Sequence, residues 1–261
     1  MAERETPLGR GLLYGVYQRR LRRSLAGQEL PRHVAMILDG NRRWAKQRLL
    51  ETAAPGHRAG AEKFQEFLEW CDELGISVAT LYLVSTDNLT GRTPEELEQL
   101  FLIIADLAYD LSHFRDWRVQ HVGSDEGLPV ALVDALRAAE LRTKDNTGLH
   151  INLAVGYGGR REITDAMRSI VTAHSASGGS LDDLADILTP ELIADHLYTG
   201  GQPDPDLVIR TSGEQRLSDF MLWQSAHSEF YFVEALGPDL REVDFLRALR
   251  DYATRHRRYG S

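Results

Sequence analysis

The sequence predicts an α/β fold in a single domain, with a mainly parallel central sheet of about six strands covered by helices. Two observations predict it. Short apolar runs of strand length alternate along the whole chain with segments of helical period. Several of these runs lack polar alternation, as expected of strands buried on both faces. A length of 261 residues suits one large domain with a substantial core.

The chain begins with a predicted basic helix. Residues 8–25 carry apolar side chains at helical spacing with arginines between them, which indicates an amphipathic helix. We assign residues 1–30 to this N-terminal segment and residues 31–261 to the main domain. A helix of this kind either packs on its own domain or contacts an acidic membrane surface, and both interpretations stay open.

Strands and helices then alternate to the C-terminus. The first buried strand is residues 34–38, and the later strands are residues 76–84, 118–123, 149–155 and 206–210, with strand-like pieces at 221–223 and 230–233. The predicted helices are residues 59–74, 93–111, 128–142, 156–174, 181–188, 190–198 and 243–258. Residues 46–55 show no clear period, which predicts a mobile loop.

Polar or glycine-rich residues follow four of the predicted strands. These segments are Asp39-Gly40-Asn41, Ser85 to Asn88, Gly156 to Gly159 and Arg210 to Gly213. Right-handed crossovers bring the carboxyl ends of parallel strands to one edge of the sheet. Ligands bind at that edge in open α/β sheets. The sequence therefore predicts a binding site there, whereas each segment alone could simply cap a helix.

The predicted edge is rich in guanidinium and hydroxyl groups. They belong to Arg42, Arg43, Arg210, Arg216, Ser212 and Ser218. Guanidinium forks bind phosphate oxygens in pairs, so this set suits a diphosphate. Asp39 cannot bind an anion directly. A carboxylate at this position makes sense if a divalent cation such as Mg²⁺ lies between it and a phosphate. Glu229 is a second candidate carboxylate.

Several other functions are disfavoured by the sequence. The net charge of −9 argues against a nucleic-acid binder. The chain lacks a P-loop and a G-x-G-x-x-G motif, and its one cysteine, Cys71, excludes an internal disulfide framework. The motif Asp182-Asp183-Leu184-Ala185-Asp186 matches a metal motif of all-helical prenyl synthases, but we interpret it as a capped helix start after Ser180. No span or signal peptide is evident, so we expect a cytoplasmic protein.

In six ordered blocks the chain resembles the cis-prenyltransferases, the undecaprenyl diphosphate synthase family. The blocks are residues 33–44, Gly56 to Gly60, Ser85 to Asn88, Tyr157 to Glu162, Asp204 to Glu214, and residues 223–229. The resemblance implies a homodimeric, Mg²⁺-dependent transferase that joins isopentenyl diphosphate to an allylic diphosphate with formation of a Z double bond. The C-terminal Arg258-Tyr259-Gly260 resembles a family tail that reaches the partner subunit's site.

The resemblance also implies roles for individual residues. Asp39 would be an essential catalytic residue and Mg²⁺ ligand, and Glu229 a second ligand. The allylic diphosphate would be held by Gly40, Asn41, Arg42, Arg43, Trp44 and His57. The reacting centre would include Ser85, Thr86, Asp87, Leu89, Arg92 and the catalytic Asn88, to which a proton-handling role is usually given. Isopentenyl diphosphate would be bound by Arg210, Arg216, Leu217 and Ser218. Because an amide is a poor base, the diphosphate itself is an alternative proton acceptor.

Three departures from the family pattern affect these roles. Ala53 stands where an arginine is usual, Leu89 where tryptophan is common, and Arg92 lies one residue later than expected. Leu89, together with Arg42 in place of a glycine, resembles short-chain actinobacterial members that make (2Z,6E)-farnesyl diphosphate, so geranyl diphosphate is the favoured allylic substrate. The alternatives are a long-chain undecaprenyl- or decaprenyl-type synthase, a non-catalytic subunit of a prenyltransferase pair, and an unrelated phosphate-binding protein.

Overall fold

A six-stranded parallel sheet forms the centre of the protein. The computed structural model describes residues 8–259, with side chains described within 14–180 and 182–255. The strands are β1 (His33–Ile37), β2 (Val78–Ser85), β3 (Arg118–Val122), β4 (His150–Tyr157), β5 (Leu207–Arg210) and β6 (Glu229–Phe232). They are ordered β3-β4-β2-β1-β5-β6, and every neighbouring pair is parallel. The predicted fold class is confirmed.

Helices connect the strands. They are α1 (Leu8–Leu25), α2 (Asn41–Gln47), α3 (Ala54–Glu73), α4 (Thr86–Gly91), α5 (Pro94–His113), α6 (Val130–Thr143), α7 (Gly159–Ala176), α8 (Leu181–Ile187), α9 (Pro190–Asp195) and α10 (Glu242–Tyr259). Two short 3₁₀ turns occupy Gln224–His227 and Gly237–Asp239.

The core lies on both faces of the sheet, as the alternation of side chains along β1 shows. Val34 and Met36 belong to a large cluster of buried residues that includes side chains of α1, α3, α5, α6 and α10. Ala35 and Ile37, which point to the opposite face, belong to a smaller cluster with Tyr157. All five β1 residues are therefore buried, which explains the unbroken apolar run in the sequence.

Helix α1 packs on its own domain through one face. Leu21 and Leu25 are buried in the large cluster. Arg22 forms ion pairs with Glu242 of α10 and Glu73 of α3, with nitrogen–oxygen distances of 2.5 and 2.7 Å. Within residues 8–259, no helix combines the length and the hydropathy required to cross a bilayer.

Two local expectations were wrong. Part of the predicted loop at residues 46–55 is helical, because α2 extends to Gln47 and α3 starts at Ala54. Apolar periodicity missed α2, which is mostly polar and follows a turn at Gly40 with φ +101°. The predicted strand-like segment at residues 221–223 is not a strand, since these residues lead into the 3₁₀ turn at Gln224–His227.

The acidic motif at Asp182 and Asp183 marks a helix start, as expected. Ser180 Oγ accepts a hydrogen bond from the Asp183 N–H, and the Asp183 carboxylate accepts one from the Ser180 N–H. This reciprocal pair is a capping box.

Candidate active site

A cavity of about 1000 Å³ opens at the carboxyl edge of the sheet. Its mouth is polar and its interior is apolar. The mouth includes the predicted site residues Asp39, Gly40, Asn41, Arg42, Arg43, His57, Ser85, Asn88, Arg92, Arg210, Arg216 and Ser218. Residues far apart in the sequence therefore meet at this edge because their strands end side by side.

Asp39 and Arg210 form the central ion pair of the mouth. Asp39 follows β1 and Arg210 ends the neighbouring strand β5, which places the Arg210 Nη2 atom 2.8 Å from Asp39 Oδ2. The Arg210 side chain is only 5% exposed, whereas that of Asp39 is 34% exposed. Burial acts to raise the pKa of Asp39, but hydrogen bonds from Arg210 and the Gly40 N–H outweigh it and lower the pKa. Asp39 is therefore a carboxylate at neutral pH.

The same arginine organises the segment that follows β5. Arg210 Nη1 donates to Ser218 Oγ at 2.8 Å and also to the Arg216 carbonyl. Tyr82 of β2 donates its hydroxyl proton to the Ser218 carbonyl at 3.0 Å. The Arg216 side chain is 63% exposed and pairs with Glu214, so its guanidinium is available at the mouth. These contacts hold the Arg210 guanidinium, the Ser218 hydroxyl and the Arg216 backbone carbonyl close together.

Two further arginines extend from α2. Arg43 donates to Ser212 Oγ at 2.7 Å, and its Nη2 atom lies 3.9 Å from Asp39 Oδ2. Arg42 is 64% exposed, and its Nε atom lies 3.6 Å from Glu96 Oε1. The Arg43 guanidinium thus lies near the Asp39 carboxylate and that of Arg42 near Glu96, and both make the mouth suitable for anions.

A hydrogen-bonded network forms the opposite side of the mouth. Arg92 donates to Asn88 Oδ1 at 3.1 Å and to Glu96 Oε1 at 3.1 Å. The buried His57 Nε2 atom lies 3.2 Å from both Glu96 Oε1 and Arg92 Nη1. Burial and the charge of Arg92 lower the pKa of His57, against the opposing effect of Glu96. The Asn88 N–H donates to Ser85 Oγ, which fixes the start of α4.

Large apolar side chains line the interior of the cavity. They come from α3, β2 and α5 and are Phe64, Leu83, Leu100, Ile103, Ile104 and Leu107. The cavity therefore joins an arginine-rich mouth to an apolar interior, which suits a ligand with an anionic head and a hydrocarbon chain.

Besides Glu229, five predicted site residues lie outside this cavity. Trp44 donates to Asp239 Oδ1 at 2.9 Å and stacks under Arg48. Leu89 and Leu217 pack against the large and the small core cluster, respectively. The remaining two are Thr86, which contacts the α7 start, and the exposed Asp87.

Glu229 is not brought to Asp39 within the chain. It begins β6 and is level with Leu207 of β5, three residues before Arg210. At a strand rise of roughly 3.3 Å per residue, it lies about 10 Å below the carboxyl edge. Its carboxylate pairs with Arg255 at 2.8 Å. The sequence placed Glu229 after a strand-like segment, whereas the structure starts a parallel strand at this residue.

Asn41 lines the cavity but has a clear packing contact with α3. An added Cβ at Gly60 would lie 2.7 Å from Asn41 Oδ1, and one at Gly56 would lie 2.2 Å from the Asn41 carbonyl oxygen. These glycines allow α2 and α3 to approach closely. The predicted family tail Arg258-Tyr259-Gly260 falls on Gly260 and on side chains of residues 256–259, which lie outside the described residues.

The donor set at the mouth fits a cation held jointly with a ligand. In the described part of the chain, no three or more histidine, cysteine or acidic side chains are grouped so that they could hold a metal ion by themselves. Asp39 accepts two hydrogen bonds, from Gly40 and Arg210, and a carboxylate has about four lone-pair positions. Magnesium is commonly bound by one or two carboxylates plus phosphate oxygens, and Asp39 fits that arrangement.

Sequence reasoning missed Glu96, Tyr82 and the apolar lining. Glu96 falls within the helix predicted at residues 93–111, but the helical period does not show that its carboxylate contacts His57, Arg92 and Arg42. Tyr82 was hidden within an apolar strand. The helical period of residues 93–111 predicted a buried face but could not indicate that this face borders a cavity.

Comparisons with known proteins agree with this geometry. Residues 37–260 match the family model described as "Putative undecaprenyl diphosphate synthase". A (2Z,6E)-farnesyl diphosphate synthase of Thermobifida fusca is 56% identical over 248 residues, which are 95% of this chain and 97% of that protein. Isoprenyl transferase 1 of Streptomyces avermitilis is 54% identical over 252 residues, which are 97% of this chain and 97% of that protein.

Two further relatives extend the comparison. A (2Z,6E)-farnesyl diphosphate synthase of Mycobacterium tuberculosis is 51% identical over 95% of each chain. Among solved structures, lavandulyl diphosphate synthase from Lavandula x intermedia, in complex with dimethylallyl diphosphate, superposes with a TM-score of 0.78 at 36% identity. That alignment covers 86% of this chain and 95% of the other.

Proposed function

Because the chain belongs to the undecaprenyl diphosphate synthase family of prenyltransferases, we propose that it condenses isopentenyl diphosphate with an allylic diphosphate to give a short-chain Z product. Geranyl diphosphate is the favoured allylic substrate and (2Z,6E)-farnesyl diphosphate the expected product. Relatives named for that product are 51% and 56% identical to this chain. The resemblance inferred from the sequence is confirmed at the level of the family.

One observation carries the proposal: a single cavity has an arginine-rich mouth and an apolar interior. The mouth suits two diphosphates, because it has two groups of guanidinium side chains. Arg42 and Arg43 are on the α2 side, and Arg210 and Arg216 are on the β5 side. We assign the allylic diphosphate to the first group and isopentenyl diphosphate to the second, with the Ser218 hydroxyl.

The chemistry then follows from the positions of these groups. The allylic carbon–oxygen bond breaks and inorganic diphosphate leaves, while the isopentenyl double bond attacks the allylic carbon and forms the new carbon–carbon bond. The guanidinium groups beside Asp39 favour this departure because they balance the growing negative charge on the leaving group. Holding both substrates in one cavity makes the attack effectively unimolecular.

Magnesium dependence is part of the proposal. Asp39 would hold Mg²⁺ together with diphosphate oxygens, since it is an ionised, partly exposed carboxylate at the mouth. A bound Mg²⁺ would act as a Lewis acid on the leaving diphosphate. Glu229 remains a predicted second ligand, but its distance from the carboxyl edge argues against its joining Asp39 within one chain.

Asn88 is better suited to orient the reacting groups than to remove a proton from them. Its Oδ1 atom accepts a hydrogen bond from Arg92, and an amide is a poor base. We therefore propose that a diphosphate oxygen accepts the proton lost from the isopentenyl unit, with Asn88 and Ser85 holding the reacting groups in place.

Relatives named (2Z,6E)-farnesyl diphosphate synthase favour the short-chain product over the long-chain alternative. Leu83 and four residues of α5, namely Leu100, Ile103, Ile104 and Leu107, occupy the region into which a growing chain would extend. Product length would then depend on Leu83, which lines the cavity, rather than on Leu89, which does not. The alternative of a non-catalytic subunit is disfavoured because Asp39, Asn88 and Arg210 all lie at the mouth.

Oligomeric state and location stay proposals as well. We propose a homodimer in the cytoplasm, with membrane contact limited to the periphery. The family resemblance of the C-terminal tail supports the dimer. Strand β6 pairs with β5 on one side and lies at the edge of the sheet, where a partner could pack. Light scattering of the purified chain would give the mass of a dimer, and a monomer mass at assay concentration would contradict this.

The proposed function is tested by sizing the product. The purified protein is incubated with Mg²⁺, isopentenyl diphosphate and either geranyl or farnesyl diphosphate, and the dephosphorylated products are separated by chromatography. We expect a farnesyl-length Z product from geranyl diphosphate. A ladder of long products would contradict the short-chain assignment, and the absence of turnover with both substrates would contradict the enzymatic function.

A further inference from the structure

The segment after β5 has an unusual backbone where it carries Ser218. Ser218, Asp219 and Met221 have φ values of +49°, +63° and +46°, although none of them is glycine. Such conformations are uncommon for residues with a side chain and persist only when their surroundings hold them. Some contact outside the segment must therefore fix it.

The N-terminus of α7 supplies that contact. The Gly159 N–H donates to the Asp219 carbonyl at 2.7 Å, and the Arg160 N–H donates to Asp219 Oδ1 at 3.2 Å. Helix α7 has no side-chain cap from its own N-cap residue, Gly158. Asp219 therefore caps α7 from a distant part of the chain, where the helix dipole also favours its negative charge.

Consecutive glycines make this approach sterically possible. A Cβ at Gly158 would lie 2.7 Å from Asp219 Oδ2 and 2.8 Å from Thr86 Oγ1, and a Cβ at Gly159 would lie 3.0 Å from the Asp219 carbonyl oxygen. Neither glycine has a positive φ, so close approach is the reason for their lack of a side chain. The same contact joins the segment to Thr86, at the start of the helix that carries Asn88.

Two aromatic contacts hold the segment from the β2 side. The Tyr82 hydroxyl donates to the Ser218 carbonyl, and the Tyr82 ring stacks on the fully buried Phe220 with ring centroids 4.5 Å apart. Ser218 Oγ then accepts a hydrogen bond from Arg210, which in turn pairs with Asp39. A continuous set of contacts thus runs from the start of α7 to the mouth of the cavity.

We propose that Asp219 is a positioning residue for the isopentenyl diphosphate site. By capping α7 it holds Ser218 and the Arg216 carbonyl in the arrangement that Arg210 requires. This assignment rests on the proposed function, because it takes that site to be the acceptor site. It gives a role to the glycines of Tyr157-Gly158-Gly159-Arg160, which do not line the cavity.

Three substitutions at Asp219 separate its charge, its acceptor atom and its backbone conformation. Asp219→Asn keeps an acceptor oxygen and tolerates a positive φ. Asp219→Gly keeps the backbone conformation and loses the acceptor, whereas Asp219→Ala loses both. We expect KM for isopentenyl diphosphate to rise at least tenfold in the Gly and Ala variants and less than threefold in the Asn variant. KM for the allylic diphosphate should change less than threefold in all of them.

A matched control and a second site keep the test specific. Asp183→Ala removes another helix-capping carboxylate, far from the cavity, and should leave both KM values unchanged. Tyr82→Phe removes the hydroxyl bond to the Ser218 carbonyl, together with the hydrogen bond between Tyr82 and the Ser85 side chain, and keeps the ring stacking on Phe220. Tyr82→Phe should raise KM for isopentenyl diphosphate more than KM for the allylic diphosphate, and this result can be obtained even if Asp219→Ala does not fold.

Binding of inorganic diphosphate, measured by calorimetry, separates failure of this assignment from failure of the proposed function. If the wild type binds diphosphate but does not turn over, the proposed function fails, while a tenfold weaker affinity in Asp219→Gly still supports positioning. Unchanged affinity and unchanged KM in Asp219→Gly would overturn the assignment. Equal increases in the KM of both substrates, with a lowered melting temperature, would show a general structural effect and would also overturn it.

Discussion

Removal of the Asp39 carboxylate should destabilise the protein as well as impair activity. Arg210 is 5% exposed, and Asp39 is its ion-pair partner at 2.8 Å. In Asp39→Asn the Arg210 guanidinium stays buried without its counter-charge. Removing one partner of a buried ion pair costs about 3–5 kcal/mol. Because Asp39 is about one-third exposed and water can enter, we expect a loss of roughly 2–3 kcal/mol.

This loss is measurable by thermal and denaturant unfolding. For a chain of this size it corresponds to a fall in melting temperature of roughly 5–10 °C. The matched control is Asp72→Asn, which makes the same chemical change in the Asp72–Arg115 pair, where the arginine is 41% exposed, and should have a much smaller effect on stability. Adding Arg210→Leu to Asp39→Asn should recover part of the stability, because the buried charge is then gone.

The pH dependence of the effect has a definite sign. The pKa of Asp39 is lower in the folded protein than in the unfolded chain, so the carboxylate contributes stability above about pH 4 and loses it as the pH falls through the folded-state value. The difference between wild type and Asp39→Asn should therefore be largest near pH 7 and shrink below about pH 4. If Asp39→Asn costs no more than Asp72→Asn at pH 7, the Asp39–Arg210 pair does not have the energetic role assigned to it.

The remaining predictions concern product length, acid stability and the metal. Leu83→Ala should shift the product to longer chains because it widens the apolar interior, whereas Leu89→Ala should not; the same product from both variants would contradict this. Burial lowers the pKa of His33 to about 4, so the unfolded chain takes up a proton first between pH 6.5 and 4. The free energy of unfolding should fall by about 3 kcal/mol over that pH range in the wild type and by less in His33→Gln. An equal pH dependence of the two proteins would contradict the low pKa of His33. Chelation of divalent cations should abolish turnover without changing the melting temperature, since one carboxylate and substrate would hold the metal.

Much of the fold was predictable because its inner strands β1, β4 and β5 are buried on both faces. The β1 run is apolar throughout since Val34 and Ala35 point into different core clusters and both are fully buried. The polar residues after each strand identified the edge at which Asp39 and Arg210 meet. The short helix α2 was not predictable from periodicity, because its contacts are close backbone approach to Gly56 and Gly60 rather than an apolar face.

Side-chain direction was the main feature that the sequence could not provide. Asn88 and Leu89 are neighbours, but successive residues of a helix point about 100° apart. Asn88 consequently lines the cavity, whereas the partly buried Leu89 does not and packs against the large core cluster. In the same way Trp44 follows Arg43 but turns to Asp239. The position of Glu229 along its strand was also not predictable, since Glu229 starts β6 and therefore lies away from the carboxyl edge of the sheet.

A crystal structure with both substrates bound tests the central claim most directly. The protein would be crystallised with Mg²⁺, isopentenyl diphosphate and a non-reactive thiol analogue of geranyl diphosphate. We predict the allylic diphosphate beside Asp39 and Arg43, the isopentenyl diphosphate on Arg210, Arg216 and Ser218, and the hydrocarbon chain along Leu83. Diphosphates bound away from Asp39 and Arg210, or a hydrocarbon chain outside the cavity, would contradict the account.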